Sequence, residues 1–66
     1  MTLKINGRTE ELSDGLTIGA LLTRLGLRRD GVAVAVNGAV IPRSAHDGHG
    51  LRAGDQVEVI TAVGGG

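Results

Sequence analysis

Few side chains in this 66-residue chain are of a kind that does chemistry. His46, Asp47 and His49 lie close enough in sequence to suggest a metal site. Zinc takes three or four ligands with outer-sphere support, and the chain has no further histidine and no cysteine, so a solvated loop is expected and no metal. Gly48-His49-Gly50 has no helix after it to present amides to a phosphate, and reads as a flexible loop. Glu10, Glu11 and Asp14 are the carboxylates a general acid or base would use, but nothing supplies the burial that tunes such groups, so they read as solvated charge. Arg28 and Arg29 follow a helical segment, where cations suit the helix dipole, and read as plain surface. The chain closes with Gly64-Gly65-Gly66, which have no side chains to pack and, read in isolation, form a flexible end. No catalytic residue is expected.

Composition narrows the classes of function further. Two independently folding domains do not fit into 66 residues, so a single β-and-α unit over residues 1–63 with a tail at 64–66 is expected. At this size a chain buries only about 60% of its unfolded surface, which makes a deep catalytic cleft unexpected. Seven basic and seven acidic side chains cancel, so no net field holds phosphates or anionic lipid. Aromatic residues are absent, which removes base-stacking platforms; neither nucleic acid nor membrane is expected as a partner. The longest apolar run, Val32 to Val36, is far short of a membrane span or a signal peptide, and a cytoplasmic protein, monomeric when free, is the simplest reading.

Hydrophobic spacing then supplies the elements. Leu3 and Ile5 alternate with Thr2, Lys4 and Asn6, the period of a half-buried strand over 2–6. Asn6-Gly7 is the pair a two-residue type I′ hairpin prefers, and the return strand, 8–12, places Leu12 opposite Met1. Ile18, Leu21, Leu22 and Leu25 stand at i, i+3, i+4 and i+7, one stripe of a helix, with Thr17 as N-cap, Gly26 at C′ and Leu27 folding back beside it. Val32-Ala-Val-Ala-Val36 reads as a strand. Asn37-Gly38 reverses it, setting Val36 opposite Ala39, Ala35 opposite Val40 and Val34 opposite Ile41 until Pro42 stops the ladder. Residues 43–55 are polar with one anchor, Leu51, and the Gly54-Asp55 turn leads to a last strand from Gln56 to about Ala62. The expected core is Leu3, Ile5, Leu12, Ile18, Leu21, Leu22, Leu25, Val34, Val36, Ile41, Leu51, Val57 and Val59. The fold class is α+β, one helix across one face of a mixed sheet of about five strands. If the valines of the core face the helix, alternation turns Ala35, Val40 and Ile60 outward as an apolar patch for a protein partner.

Thr17 to Leu22 opening the helix, Ala35-Val36-Asn37-Gly38, Ile41-Pro42-Arg43-Ser44, Leu51, Gly54-Asp55, Val57 to Val59 and the final Gly-Gly, taken together, resemble the thiamin-pathway sulfur carrier proteins across essentially the whole chain. The resemblance implies the ubiquitin-like β-grasp fold, with the last strand in the middle of the sheet and parallel to the first. It implies that Gly66 is the true C-terminus and carries the chemistry: a ubiquitin-activating-like adenylyltransferase spends ATP to adenylate its carboxylate, sulfur replaces the adenylate, and thiazole synthase receives that sulfur. On that reading Gly64 and Gly65 are the thin chain that a narrow channel admits. Many relatives carry tryptophan where this chain has His46, which bears on the packing of that loop.

The residues agree with a carrier. A carboxylate is a poor electrophile until joined to a leaving group such as AMP, and no P-loop is present to bind the ATP, so no cofactor is expected on the domain itself and a partner must perform the activation. Without cysteine no persulfide can form on the chain. A carrier for another acceptor of the molybdopterin type, a ubiquitin-like modifier joined to lysines, and a β-grasp binding module with an inert tail remain open as alternatives.

Overall fold

In a computed structural model that describes residues 1–28 and 30–61, the alternating N-terminal segment forms β1 (Thr2–Ile5) and the Asn6-Gly7 turn returns it as β2 (Arg8–Glu11). The helical stripe becomes α1 (Ile18–Arg24), followed by β3 (Val32–Val36), β4 (Ala39–Ile41), one turn of 3-10 helix at Arg43–Ala45, and β5 (Gln56–Thr61). The five strands form one sheet in the order β2-β1-β5-β3-β4. β5 lies at its centre, parallel to β1 and antiparallel to β3, as the β-grasp expectation requires.

Both hairpins pair in the register that their Asn-Gly turns dictate. Val36 faces Ala39, Ala35 faces Val40 and Val34 faces Ile41. Asn6 and Asn37 hold the left-handed conformation that a type I′ turn needs, at φ 51° and 52°. Leu12 donates its N–H to the Met1 carbonyl at 2.9 Å, so the first hairpin also pairs as expected.

The helix is only seven residues long, too short to stand alone, and its two ends are closely capped. The Thr17 Oγ1 accepts the Ala20 N–H at 3.1 Å. At the other end Gly26 takes φ 73°, Gly26 donates to the Thr23 carbonyl at 3.0 Å and Leu27 to the Leu22 carbonyl at 2.9 Å. These two bonds are the Schellman pattern, which satisfies the last carbonyls and turns Leu27 back toward the core.

Leu3, Ile18, Leu21, Leu22, Val34, Val36, Leu51, Val57 and Val59 are buried between helix and sheet, with Ile5, Leu12 and Ile41 packed at the margin. Leu25 departs from the expected core: it is 47% exposed. Its spacing fits the stripe, but it is the C-cap residue, and Leu27, brought back by Gly26, packs at that end instead.

His46 is the second departure. In place of a solvated loop residue, its imidazole is 1% exposed, as deeply buried as the leucines. Nε2 lies 3.1 Å from the Ile41 carbonyl, which can only accept, so Nε2 carries the hydrogen. The loop is also pinned rather than loose. Its His49 and His46 carbonyls accept the Ile18 and Gly19 N–H groups, each at 3.0 Å, while Leu51 donates to the Leu16 carbonyl at 2.8 Å. Backbone amides at a helix start have no partner within the helix, and here the Gly-rich loop supplies the acceptors.

Candidate functional site

The last strand leads toward the C-terminus from the middle of the sheet. Before it, the Gly54-Asp55 turn is locked from two sides: the Asp55 carboxylate accepts the Arg52 N–H at 2.9 Å and the Asn37 Nδ2 at 3.1 Å, and Asn37 Oδ1 accepts the Gln56 N–H at 3.0 Å. Further along β5, Asn6 N–H donates to the Val57 carbonyl at 2.8 Å. The Asn6 carboxamide then takes both backbone groups of Val59, accepting its N–H at 2.8 Å and donating to its carbonyl at 3.2 Å. β5 ends at Thr61, opposite Val32.

Gly64, Gly65 and Gly66, the tail on which the sequence reading rests, lie outside the described residues, as do Ala62, the expected end of the last strand, and Arg29. Thr61 is therefore the last described position, five residues before Gly66.

The sheet face away from the helix carries the other predicted feature. Val40 is 74% and Ile60 58% exposed, and Ala35 is half-buried between them. Ala35 pairs with Val40 on one side, and Ala33, exposed and one pleat along β3, pairs with Ile60 on the other. Ala33 thus joins the patch; it belongs to the same alternation and could have been read from it. Glu58, opposite Ala35, places a charge inside the same surface. A shallow hollow lined by Gly31, Val32, Ala33, Ile60 and Thr61 continues the patch to the end of β5.

The remaining sequence candidates do not converge on a site. Glu10 and Glu11 lie exposed on edge strand β2, where Glu11 Oε1 accepts the Thr2 hydroxyl at 2.7 Å. Asp14 pairs at 3.1 Å with the Met1 amine, its own side chain 92% exposed. Arg28 reaches Asp30 at 3.7 Å with both side chains in water, a contact of little energetic consequence. His46 and His49 meet through the helix amides and not around an ion; among the described residues no three histidine, cysteine or carboxylate side chains cluster as ligands. Nor, among them, is any helix long and apolar enough to cross a membrane.

Comparison with known proteins adds four observations. The model of the ThiS family matches residues 3–66. The sulfur carrier protein ThiS of Escherichia coli (strain K12) is 30% identical over 66 residues, which cover all of both chains. The crystal structure of the thiamine biosynthesis protein (ThiS) from Geobacter metallireducens is similar with a TM-score of 0.85 at 33% identity, again over the whole of both chains. A thiazole synthase from Paramagnetospirillum magneticum is 36% identical over 66 residues; that stretch is all of this chain and 20% of the synthase, so the chain spans a fifth of that relative's length.

Proposed function

The chain belongs to the ThiS family, and from that membership we propose that it is the sulfur carrier of a thiamin pathway, bearing sulfur on the carboxyl group of Gly66. The observation that carries this reading is the placement of β5. The central strand of the sheet is also the last of the described strands, it is held at several points along its length, and Gly66 lies five residues beyond its end at Thr61. Five residues span at most about 17 Å, so a partner that reaches Gly66 must seat itself close to the rim of the domain. The exposed patch of Ala33, Ala35, Val40 and Ile60 lies on the sheet face away from the helix, and its Ala33 and Ile60 end runs to that rim.

The chemistry follows from what a carboxylate needs. A ubiquitin-activating-like adenylyltransferase binds the ATP; an oxygen of the Gly66 carboxylate attacks the α-phosphorus, pyrophosphate leaves, and the carbonyl carbon becomes an acyl-adenylate. Sulfide then attacks that carbon, the bond to the AMP oxygen breaks, and a thiocarboxylate remains. The carrier supplies no catalytic side chain and holds no cofactor. Gly64 and Gly65 serve by lacking side chains, which lets a narrow channel close around them. The acceptor we assign is thiazole synthase: a stretch similar to this whole chain forms a fifth of a protein of that name, which supports an acceptor working beside such a domain.

The test is a mass measurement. Protein incubated with an activating enzyme, ATP and sulfide is expected to gain the mass of one sulfur less one oxygen, confined to the C-terminal peptide. No gain with a demonstrably active enzyme, or a gain on another peptide, would overturn the carrier reading in favour of a binding module.

The patch makes a separate prediction. Ile60→Glu puts a carboxylate at a 58%-exposed position, so the fold should be retained, while burying that charge in an interface is costly. Titration calorimetry against the activating enzyme should show binding at least about tenfold weaker. Affinity equal to that of the unaltered protein would remove the patch from the interface.

A further inference from the structure

The two Asn-Gly pairs enter the sequence reading only as chain reversals, yet in the structure each spends its asparagine side chain on β5. Asn37 does so at the strand's first residue, taking the Gln56 N–H. Asn6 does so at the fourth, taking both the N–H and the carbonyl of Val59, 53 positions away in sequence.

The position of Asn6 has a geometric reason. β1 pairs with β5 only through Lys4 and Ile5, opposite Gln56 and Val57, because the chain then turns away into β2. On its other flank β5 stays paired with β3 as far as Thr61. From Val59 onward the β1 side of β5 would therefore be an open edge. A carboxamide carries one carbonyl and one N–H in a plane, as a peptide group does, and the Asn6 side chain stands where the next peptide of β1 would have been. It extends two-sided support of the last strand up to Val59, seven residues before Gly66.

We propose that Asn6 is a positioning residue for the tail: its hold on Val59 fixes where and in which direction the C-terminal segment leaves the sheet, and so sets how readily Gly66 enters the activating site. This rests on the carrier reading above. With Val59 held on both sides, only Ile60 and Thr61 rest on β3 alone, and the chain beyond them starts from a narrow set of directions; without that hold the end of β5 is free on one flank from Val59 onward and samples many, and each productive encounter must then order it again. The contribution belongs to capture of the tail and not to the chemical step, so it acts on KM and leaves kcat unaltered.

Asn6→Gly separates this from a loss of stability, since glycine accepts the positive φ of the turn and removes only the carboxamide. Asn37→Gly is the matched control: same turn type, same kind of side chain lost from β5, but at the strand's beginning. Both would be assayed with the activating enzyme, ATP and sulfide well below their melting temperatures, with amide hydrogen exchange recorded alongside. Asn6→Gly is expected to raise KM for the carrier about three- to tenfold at unchanged kcat, and to speed exchange of the Val59 amide by a similar factor. Asn37→Gly should do neither. If the unaltered protein gains sulfur and Asn6→Gly matches its KM, the proposal is wrong and the carrier reading stands. It is equally wrong if the two variants raise KM alike, since that would be a general loss of stability. If the unaltered protein gains no sulfur from an active enzyme, the carrier reading falls and the role of Asn6 falls with it.

Discussion

Deletion of Gly66 should abolish sulfur loading and leave the melting temperature where it was. The new terminus, Gly65, would still be a glycine carboxylate at the end of a slender chain, so the chemistry of the group is unchanged. What changes is its place. With β5 fixed in the sheet by Asn37, Asn6 and β3, the tail's reach is set by the number of residues beyond it, and removing one withdraws the carboxylate by about 3.5 Å. Attack on the α-phosphorus needs the reacting atoms about 3–3.5 Å apart and aligned, and an error of about 1 Å already costs on the order of 100-fold. Stability should be untouched because Gly66 has no side chain to bury, and the core of the described residues is built from Leu3 to Val59. Mass spectrometry of the deletion variant after a full loading reaction, with a thermal melt of the same sample, reads both halves. Loading at the rate of the full chain would show that the terminal residue is not the site.

The elements were legible because each owes its form to neighbours in sequence. Alternation in 2–6 and 32–36, the stripe at Ile18, Leu21 and Leu22, and the positive φ that Asn6 and Asn37 tolerate are all local, and the structure has them where the residues put them, except that the first strand ends at Ile5, one residue earlier, where Asn6 enters the turn. The failures are the places where a distant partner decides. Leu25 continues the helical spacing one step beyond the point where Gly26 turns the chain, and spacing alone does not say where the core ends. His46 sits in a polar stretch with no periodicity, and only closure of that loop over the helix start makes it a core residue. Its Nδ1 is buried with no hydrogen-bond partner among the described residues. Backbone carbonyls as helix caps leave no mark in side-chain identity. The contact from Asn6 to Val59 spans nearly the whole chain and exists only because the first and last strands lie parallel. Of the candidate site, the patch could be read from alternation; the hold of the Asn6 carboxamide on Val59 could not.

Leu22→Ala should produce a large loss of stability, and Leu25→Ala very little. Both leucines belong to the same stripe by spacing, and leucine and alanine differ little in helix propensity, so a reading from sequence alone gives both the same consequence. The structure separates them. Leu22 is 1% exposed within the cluster that includes Leu3, Val34, Val57 and Val59, and truncating it leaves a cavity that surrounding side chains fill only in part; such changes cost about 2–5 kcal/mol. Leu25, 47% exposed at the C-cap, has much of its surface in water already, and its loss should stay near 0.5 kcal/mol. At about 0.05–0.15 kcal/mol per residue, a domain of 66 residues has roughly 3–10 kcal/mol in total, so the first change removes a large share of it. A seven-residue helix adds little stability of its own and depends on packing, which means the whole unit should unfold in one step at a lower temperature. Parallel urea and thermal melts followed by far-ultraviolet circular dichroism measure the difference. Equal losses in the two variants would mean that the helix end packs as its spacing suggests, and an unshifted midpoint for Leu22→Ala would refute the core described here.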